Sequence, residues 1–143
     1  MTDNRFICTW KLISGEFHST EGTTTFPWSQ NPGGQIIYTA EGFMAAQIMN
    51  PKRPDFVSKD HMKGTDAEVR AAFEGYQAYY GTYDIDAAEN IVNHRVTGSV
   101  FPNLIGHNLK RYFEFSGSRL ILRTPPMKMS GTAVTVVLVW EQI

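Results

Sequence analysis

Residues 35–48 read Gln35-Ile36-Ile37-Tyr38-Thr39-Ala40-Glu41-Gly42-Phe43-Met44-Ala45-Ala46-Gln47-Ile48. Two largely apolar runs flank a short connector that ends in glycine. A glycine at that position supplies the positive φ that a tight hairpin turn requires, so the stretch predicts two antiparallel strands.

Alternation with a period of two residues continues on both sides of this hairpin. It predicts a first strand from Phe6 to Ile13 and later strands within residues 82–86, 91–97, 109–115, 120–124 and 132–140. Turns are expected at residues 87–90 and 116–118, and longer polar loops at residues 15–34 and 50–64. About eight strands with short connections can close into a barrel with room for one small ligand. The predicted fold is therefore all-β, a single up-and-down antiparallel barrel over residues 1–143.

One segment has a helical period instead. Thr65 and Glu68 match a capping box, in which each residue satisfies an exposed N–H group of the other. Apolar side chains follow at spacings of three and four, at Val69, Ala72, Phe73, Tyr76 and Tyr80. This pattern predicts one helix near residues 66–80, ended by Gly81, with its apolar stripe packed against the barrel.

The composition and charge of the chain argue against several classes of function. Thirteen basic and 14 acidic residues are spread along the 143-residue chain, which argues against a nucleic-acid partner. Cys8 is the one cysteine, so no internal disulfide can form, and the four histidines lack metal-ligand spacing. No apolar run approaches the roughly 20 residues that span a bilayer, and no secretory signal is visible. We expect a cytoplasmic protein without metal or cofactor and without membrane contact, as a monomer or a homodimer.

Several short pieces, in order along nearly the whole chain, resemble the lipocalin-like domain family of bacteria and fungi. They are Thr9-Trp10-Lys11-Leu12, residues 38–47, Gly81-Thr82-Tyr83, His94, Phe101-Pro102-Asn103, Gly106, Arg111 and residues 120–126. The resemblance implies an up-and-down barrel that Trp10 closes at one end. Some relatives belong to natural-product pathways, and some lipocalin-like barrels there act as cofactor-free cyclases. Cys8 stands where the lipocalin signature has glycine, and it is interpreted as a small buried hydrophobe rather than a nucleophile.

Arg111 is a charged residue on an apolar strand face. Alternate positions share a face, and Leu109, Phe113 and Phe115 are large and apolar. A buried guanidinium is costly unless it is paired. Three interpretations remain open at this point: an ion pair with an internal carboxylate, recognition of the acidic part of a ligand, or exposure at the barrel mouth.

Other polar residues also share faces with apolar ones. His94 lies between Val92 and Val96, and its side chain is interpreted either as hydrogen-bonded core or as a proton donor or acceptor. Tyr38 and Tyr83 lie on similar faces and need hydrogen-bond partners if they are buried. We expect a polar cluster of Tyr38, Tyr83, His94 and Arg111, with Phe113 and Trp140 as flat apolar walls.

Two functions fit such a cluster. The first is binding of a small apolar or amphipathic molecule, partly aromatic or polyketide-like, in secondary metabolism. The alternative is a cofactor-independent cyclase or isomerase, acting on a polyketide-like or terpenoid-like substrate, in which the same four residues are catalytic. A purely structural or protein-interaction barrel is a third possibility. In each ligand-binding case the polar loop at residues 50–64 is the expected gate.

Overall fold

A computed structural model of the protein describes residues 4–143. The strands in chain order are β1 (Cys8–Ser19), β2 (Thr24–Thr25), β3 (Gly33–Tyr38), β4 (Phe43–Met49), β5 (Tyr76–Asp86), β6 (Ile91–Ser99), β7 (Asn108–Ser116), β8 (Arg119–Arg123), β9 (Met127–Met129) and β10 (Thr132–Gln142). Helix α1 (Asp66–Glu74) lies between β4 and β5, and a short 3₁₀ helix (Pro102–Leu104) lies between β6 and β7.

Eight of these strands form a closed antiparallel barrel, which confirms the predicted fold. They pair in the order β1-β3-β4-β5-β6-β7-β8-β10, and β10 pairs in turn with β1. Leu12 of β1 lies opposite Trp140 of β10 where the ring closes. The short strands β2 and β9 extend the sheet beside β1 and β10. Closure leaves no unpaired edge on the eight-stranded ring, which removes a template for aggregation.

The core lies inside the barrel and follows the predicted alternation. Along β4 and β10 every second side chain is buried, as period-two patterning requires. The largest of the fully buried side chains come from the two ends of the chain and from β3, β6 and β8: Phe6, Leu12, Ile36, Tyr38, Val92, His94, Leu120, Leu122 and Trp140.

Aromatic side chains close one end of the barrel. The Phe6 ring packs edge-on against the rings of Tyr38, Phe113 and Phe115, with centroids about 5 Å apart. The Trp10 indole N–H donates to the Phe6 carbonyl oxygen over 2.9 Å. Trp10 is 3% exposed, so its position agrees with the closing role that the family resemblance implies.

The predicted helix is correct at its start and wrong at its end. The capping box of Thr65 and Glu68 is present, with both reciprocal hydrogen bonds formed. However, the helix stops at Glu74, and Gly75 caps it by donating its N–H to the carbonyls of Ala71 and Phe73. The next residues pair with β4 as part of β5, so tertiary pairing overrides the local helical period there. Gly81 is a strand residue, and a Cβ at this position would collide with the Arg95 carbonyl group of β6.

Two further expectations also need correction. The apolar stripe of α1 does not pack into the barrel, because no residue of the helix is buried, and Val69 and Phe73 are about half exposed. The first strand begins at Cys8 rather than Phe6, and it continues through a bulge near Ser14 to Ser19, paired with β10. The first five residues of the predicted loop at 15–34 are therefore not loop but the second half of β1.

The segment between β4 and α1 is a loop, as predicted, and it contacts the helix through a few polar groups. The Arg53 guanidinium donates to the Ala72 carbonyl oxygen and lies over the Tyr76 ring. The Val57 backbone N–H donates to the Glu68 carboxylate over 2.9 Å. Val57 and Met62 are at least 90% exposed. Within residues 4–143, no helix is long and apolar enough to cross a membrane.

Candidate ligand-binding site

His94 lies inside the barrel between two tyrosine hydroxyl groups. It is fully buried on β6, and both of its ring nitrogens are engaged. Nε2 lies 2.7 Å from the hydroxyl oxygen of Tyr38 on β3, and Nδ1 lies 2.7 Å from that of Tyr79 on β5. The three side chains therefore form one hydrogen-bonded chain across the barrel interior.

All three groups of this chain are neutral near pH 7. Burial, together with the nearby positive charge of Arg111, lowers the pKa of His94 to about 3. Burial also raises the pKa of Tyr38 and of Tyr79, so both phenols keep their protons. Desolvation disfavours the charged form of each group, which is the common cause of these shifts.

The hydrogen bonds favour one arrangement of the protons. A neutral imidazole has one N–H donor and one acceptor nitrogen. Tyr38 is 2% exposed, and within residues 4–143 His94 is the one hydrogen-bond partner of its hydroxyl group. If His94 Nε2 carried the proton, the Tyr38 hydroxyl proton would be buried without an acceptor, which costs about 1–3 kcal/mol. Tyr79 is only partly buried, so an unused hydroxyl proton costs less there than at Tyr38. The favoured arrangement therefore has Tyr38 donating to Nε2 and Nδ1–H donating to Tyr79, which leaves the Tyr79 hydroxyl proton available.

Arg111 lies beside this chain, on β7. It lies opposite the buried Val92 in the strand pairing, and its guanidinium is close enough to influence the pKa values of Tyr38, Tyr79 and His94. One of its N–H groups donates to the Lys110 carbonyl oxygen over 3.1 Å. The ion pairs within residues 4–143 do not include Arg111. The structure thus brings an unpaired guanidinium beside the Tyr79 hydroxyl group.

The other predicted site residues lie outside this chain. The Tyr83 hydroxyl donates to the Thr39 carbonyl oxygen over 2.7 Å and accepts from Asn4, at the closed end of the barrel. The Tyr83 ring contacts Tyr38, but its hydroxyl group is satisfied elsewhere. Phe113 is half-buried against Phe6 and the core, and Trp140 is fully buried between β1 and β8. These two aromatic residues remain candidate walls, whereas Tyr83 contributes to packing and to closure of the barrel end.

Tyr79 is a candidate site residue that the sequence reasoning missed. The predicted helix included position 79, which hid its place in the alternating pattern of β5. Tyr79 lies opposite the buried Ala46 of β4 and shares the inward face with Gly81 and Tyr83. A predicted strand that extended back from Tyr83 to Tyr76 would have placed Tyr79 on the inward face.

Two open clefts of the surface lie near this chain of polar groups, and the larger one has Tyr79 among its lining residues. One cleft of about 500 Å³ lies mainly on the outer face of β4, β5 and β6, lined by residues that include Ala45, Ala78, Tyr80 and Val100. A smaller one of about 250 Å³ lies beside the loop before β7. Neither includes Tyr38, His94 or Arg111. Within residues 4–143, no three side chains of His, Cys, Asp or Glu are placed to hold a metal ion.

A closed, eight-stranded, up-and-down antiparallel barrel is the architecture of lipocalin-type proteins. The chain matches the lipocalin-like domain family over residues 7–143 and belongs to that family, which confirms the resemblance. It is also 34% identical to the 4'-hydroxy-3'-methoxypropiophenone carrier protein of Aspergillus oryzae. The alignment extends over 107 residues, which is 70% of this chain and 96% of that protein.

Proposed function

We propose that this protein binds and carries a small aromatic molecule inside the barrel and does not convert it chemically. The observation that carries the proposal is the engagement of both His94 ring nitrogens, which leaves Tyr79 and Arg111 as the free donors. A few polar donors within a largely apolar interior are typical of a small-molecule site. The relative from Aspergillus oryzae is named as a carrier of an aryl ketone, a molecule with oxygen acceptors and an aromatic ring.

The same contacts support carriage over catalysis by a cofactor-free cyclase or isomerase. A general base works best when its pKa lies near the operating pH and when it reaches the proton that it removes. The pKa of His94 is lowered to about 3, and its two nitrogens already contact Tyr38 and Tyr79. The imidazole therefore serves better to orient the two tyrosines than to accept a substrate proton.

Binding of 4'-hydroxy-3'-methoxypropiophenone, the molecule named for the relative, tests the proposal directly. Titration followed by isothermal calorimetry should show binding of one molecule per chain, and mass spectrometry should recover the ketone unchanged. Tyr79→Phe removes one hydroxyl donor and should weaken binding by about 2- to 12-fold, the worth of a hydrogen bond of roughly 0.5–1.5 kcal/mol.

Tyr80→Phe is the matched control for this variant. Tyr80 is the next residue on β5, faces outward and is 56% exposed, so the loss of its hydroxyl should leave binding unchanged. Conversion of the ketone during incubation would contradict the carrier function. An equal effect of the two substitutions would contradict the location of the site inside the barrel.

A further inference from the structure

The charge inside the barrel is unbalanced. Among the inward-facing strand residues that the structure describes, Arg111 is the one with a formal charge, whereas the charged neighbours Lys110 and Glu114 on β7 face outward and are exposed. The groups that face the Arg111 guanidinium from β3, β5 and β6 are Tyr38, Tyr79 and His94, all uncharged near pH 7. A half-buried cation without a counter-ion is unfavourable, and a ligand that supplies one negative charge relieves this cost.

The available donors converge on the same place. The Tyr79 hydroxyl proton is not used by His94, because His94 Nδ1–H donates to the Tyr79 oxygen in the favoured arrangement. Burial raises the pKa of Tyr79, and the Arg111 guanidinium is close enough to oppose part of that rise, both through its charge and as a hydrogen-bond donor. An anionic oxygen can accept from a phenol and a guanidinium together, and hydrogen bonds to a charged acceptor are about twice as strong as neutral ones.

We infer that the ligand is an aromatic anion, whose carboxylate, phenolate or enolate oxygen lies between the Arg111 guanidinium and the Tyr79 hydroxyl group. This inference rests on the proposed function, since it requires the barrel interior to be the binding site. The ring of Phe113 shares the inward face of β7 with Arg111, two residues away, and provides an apolar contact for the aromatic part of the ligand. Cationic aromatic molecules are excluded, because the unpaired guanidinium repels them.

Two fluorescent probes of matched shape test the charge requirement. 1-Anilinonaphthalene-8-sulfonate carries one negative charge, and N-phenyl-1-naphthylamine has the same ring system without it. Arg111→Met removes the positive charge and keeps an apolar side chain of similar length. It should weaken binding of the sulfonate by about tenfold to a hundredfold, the range for loss of a charge-assisted hydrogen bond. Binding of the neutral amine should change by less than about threefold, since it has no charged contact to lose.

Two further variants make the result specific. Lys110→Met removes one positive charge from the adjacent, outward-facing position, so affinity for both probes should stay unchanged. Arg111→Lys keeps the positive charge and should retain most of the preference for the sulfonate, which separates loss of charge from a change in folding.

The possible failures are distinguishable. If Arg111→Met weakens both probes equally, or weakens neither, the anionic ligand is refuted while binding inside the barrel still stands. If neither probe binds the wild-type protein, the proposed function fails and the charge assignment fails with it.

Discussion

Lowering the pH from 7 to 4 should destabilise the wild-type protein more than its His94→Phe variant. The pKa of His94 is about 3 in the folded protein and about 6.5 in an unfolded chain, because burial and the Arg111 charge oppose protonation. Between these values the unfolded state binds a proton that the folded state does not. Folding stability therefore falls as the pH falls through this window.

The size of the effect follows from the width of the window. Each pH unit below 6.5 removes up to about 1.4 kcal/mol of unfolding free energy, so acidification to pH 4 removes roughly 3 kcal/mol. For 143 residues the unfolding entropy near the transition is about 0.3 kcal/mol/K, so this loss lowers Tm by roughly 10 °C. The variant has no imidazole at position 94 and lacks this contribution.

Urea unfolding at pH 7, 6, 5 and 4 on both proteins measures the difference. Hydrogen bonds from neighbouring residues lower the pKa values of Glu68, Asp84 and Glu141, but these carboxylates are common to both proteins and cancel in the comparison. The difference in unfolding free energy between the wild type and the variant should become steadily less favourable to the wild type as the pH falls. If the difference in unfolding free energy between the two proteins stays constant from pH 7 to pH 4, His94 is not buried in its neutral form.

Tyr38→Phe and His94→Phe should each cost about 1–3 kcal/mol at pH 7, because each leaves a buried polar partner unsatisfied. The double variant should cost less than the sum by roughly 0.5–3 kcal/mol, and additive losses in urea unfolding would contradict their direct contact. Residues 50–64 should exchange amide hydrogens rapidly without ligand and more slowly with 4'-hydroxy-3'-methoxypropiophenone bound, because they make few buried contacts. Equal protection in both states, measured by hydrogen exchange mass spectrometry, would place ligand entry elsewhere.

The barrel could be predicted from sequence because its signal is local and repeated. Alternation along β4, β6, β7, β8 and β10 appears in the order of residues alone, and the capping box at Thr65 marks the start of α1. The inward position of His94 and Arg111 followed from the same alternation, which does not by itself determine which inward side chains are neighbours.

The end of the helix could not be obtained in this way. The tyrosines at 76, 79, 80 and 83 satisfy helical spacing, and the alternate positions Tyr79, Gly81 and Tyr83 also fit one face of a strand, so a local pattern cannot decide between helix and strand. Residues Tyr76–Thr82 are a strand because they pair with β4. This pairing depends on residues about 35 positions away in the chain. The missed role of Tyr79 follows from this single ambiguity. Among residues 4–143 Arg111 has no carboxylate partner, and this too depends on the folded barrel, since acidic residues such as Glu114 are close in sequence but face outward.

The order of strand pairing has a consequence for how the protein folds. Strands β3 to β7, which carry Tyr38, Tyr79, His94 and Arg111, pair with their neighbours along the chain. The pairing of β1 with β10, by contrast, joins Trp10 to Gln142 and requires closure of a loop almost as long as the whole chain. Long-range pairing of this kind is entropically costly and slow, whereas hairpins between consecutive strands form early. The polar chain of the candidate site can therefore assemble from contacts between consecutive strands. The barrel around it closes only when β10, the last strand to be synthesised, pairs with β1.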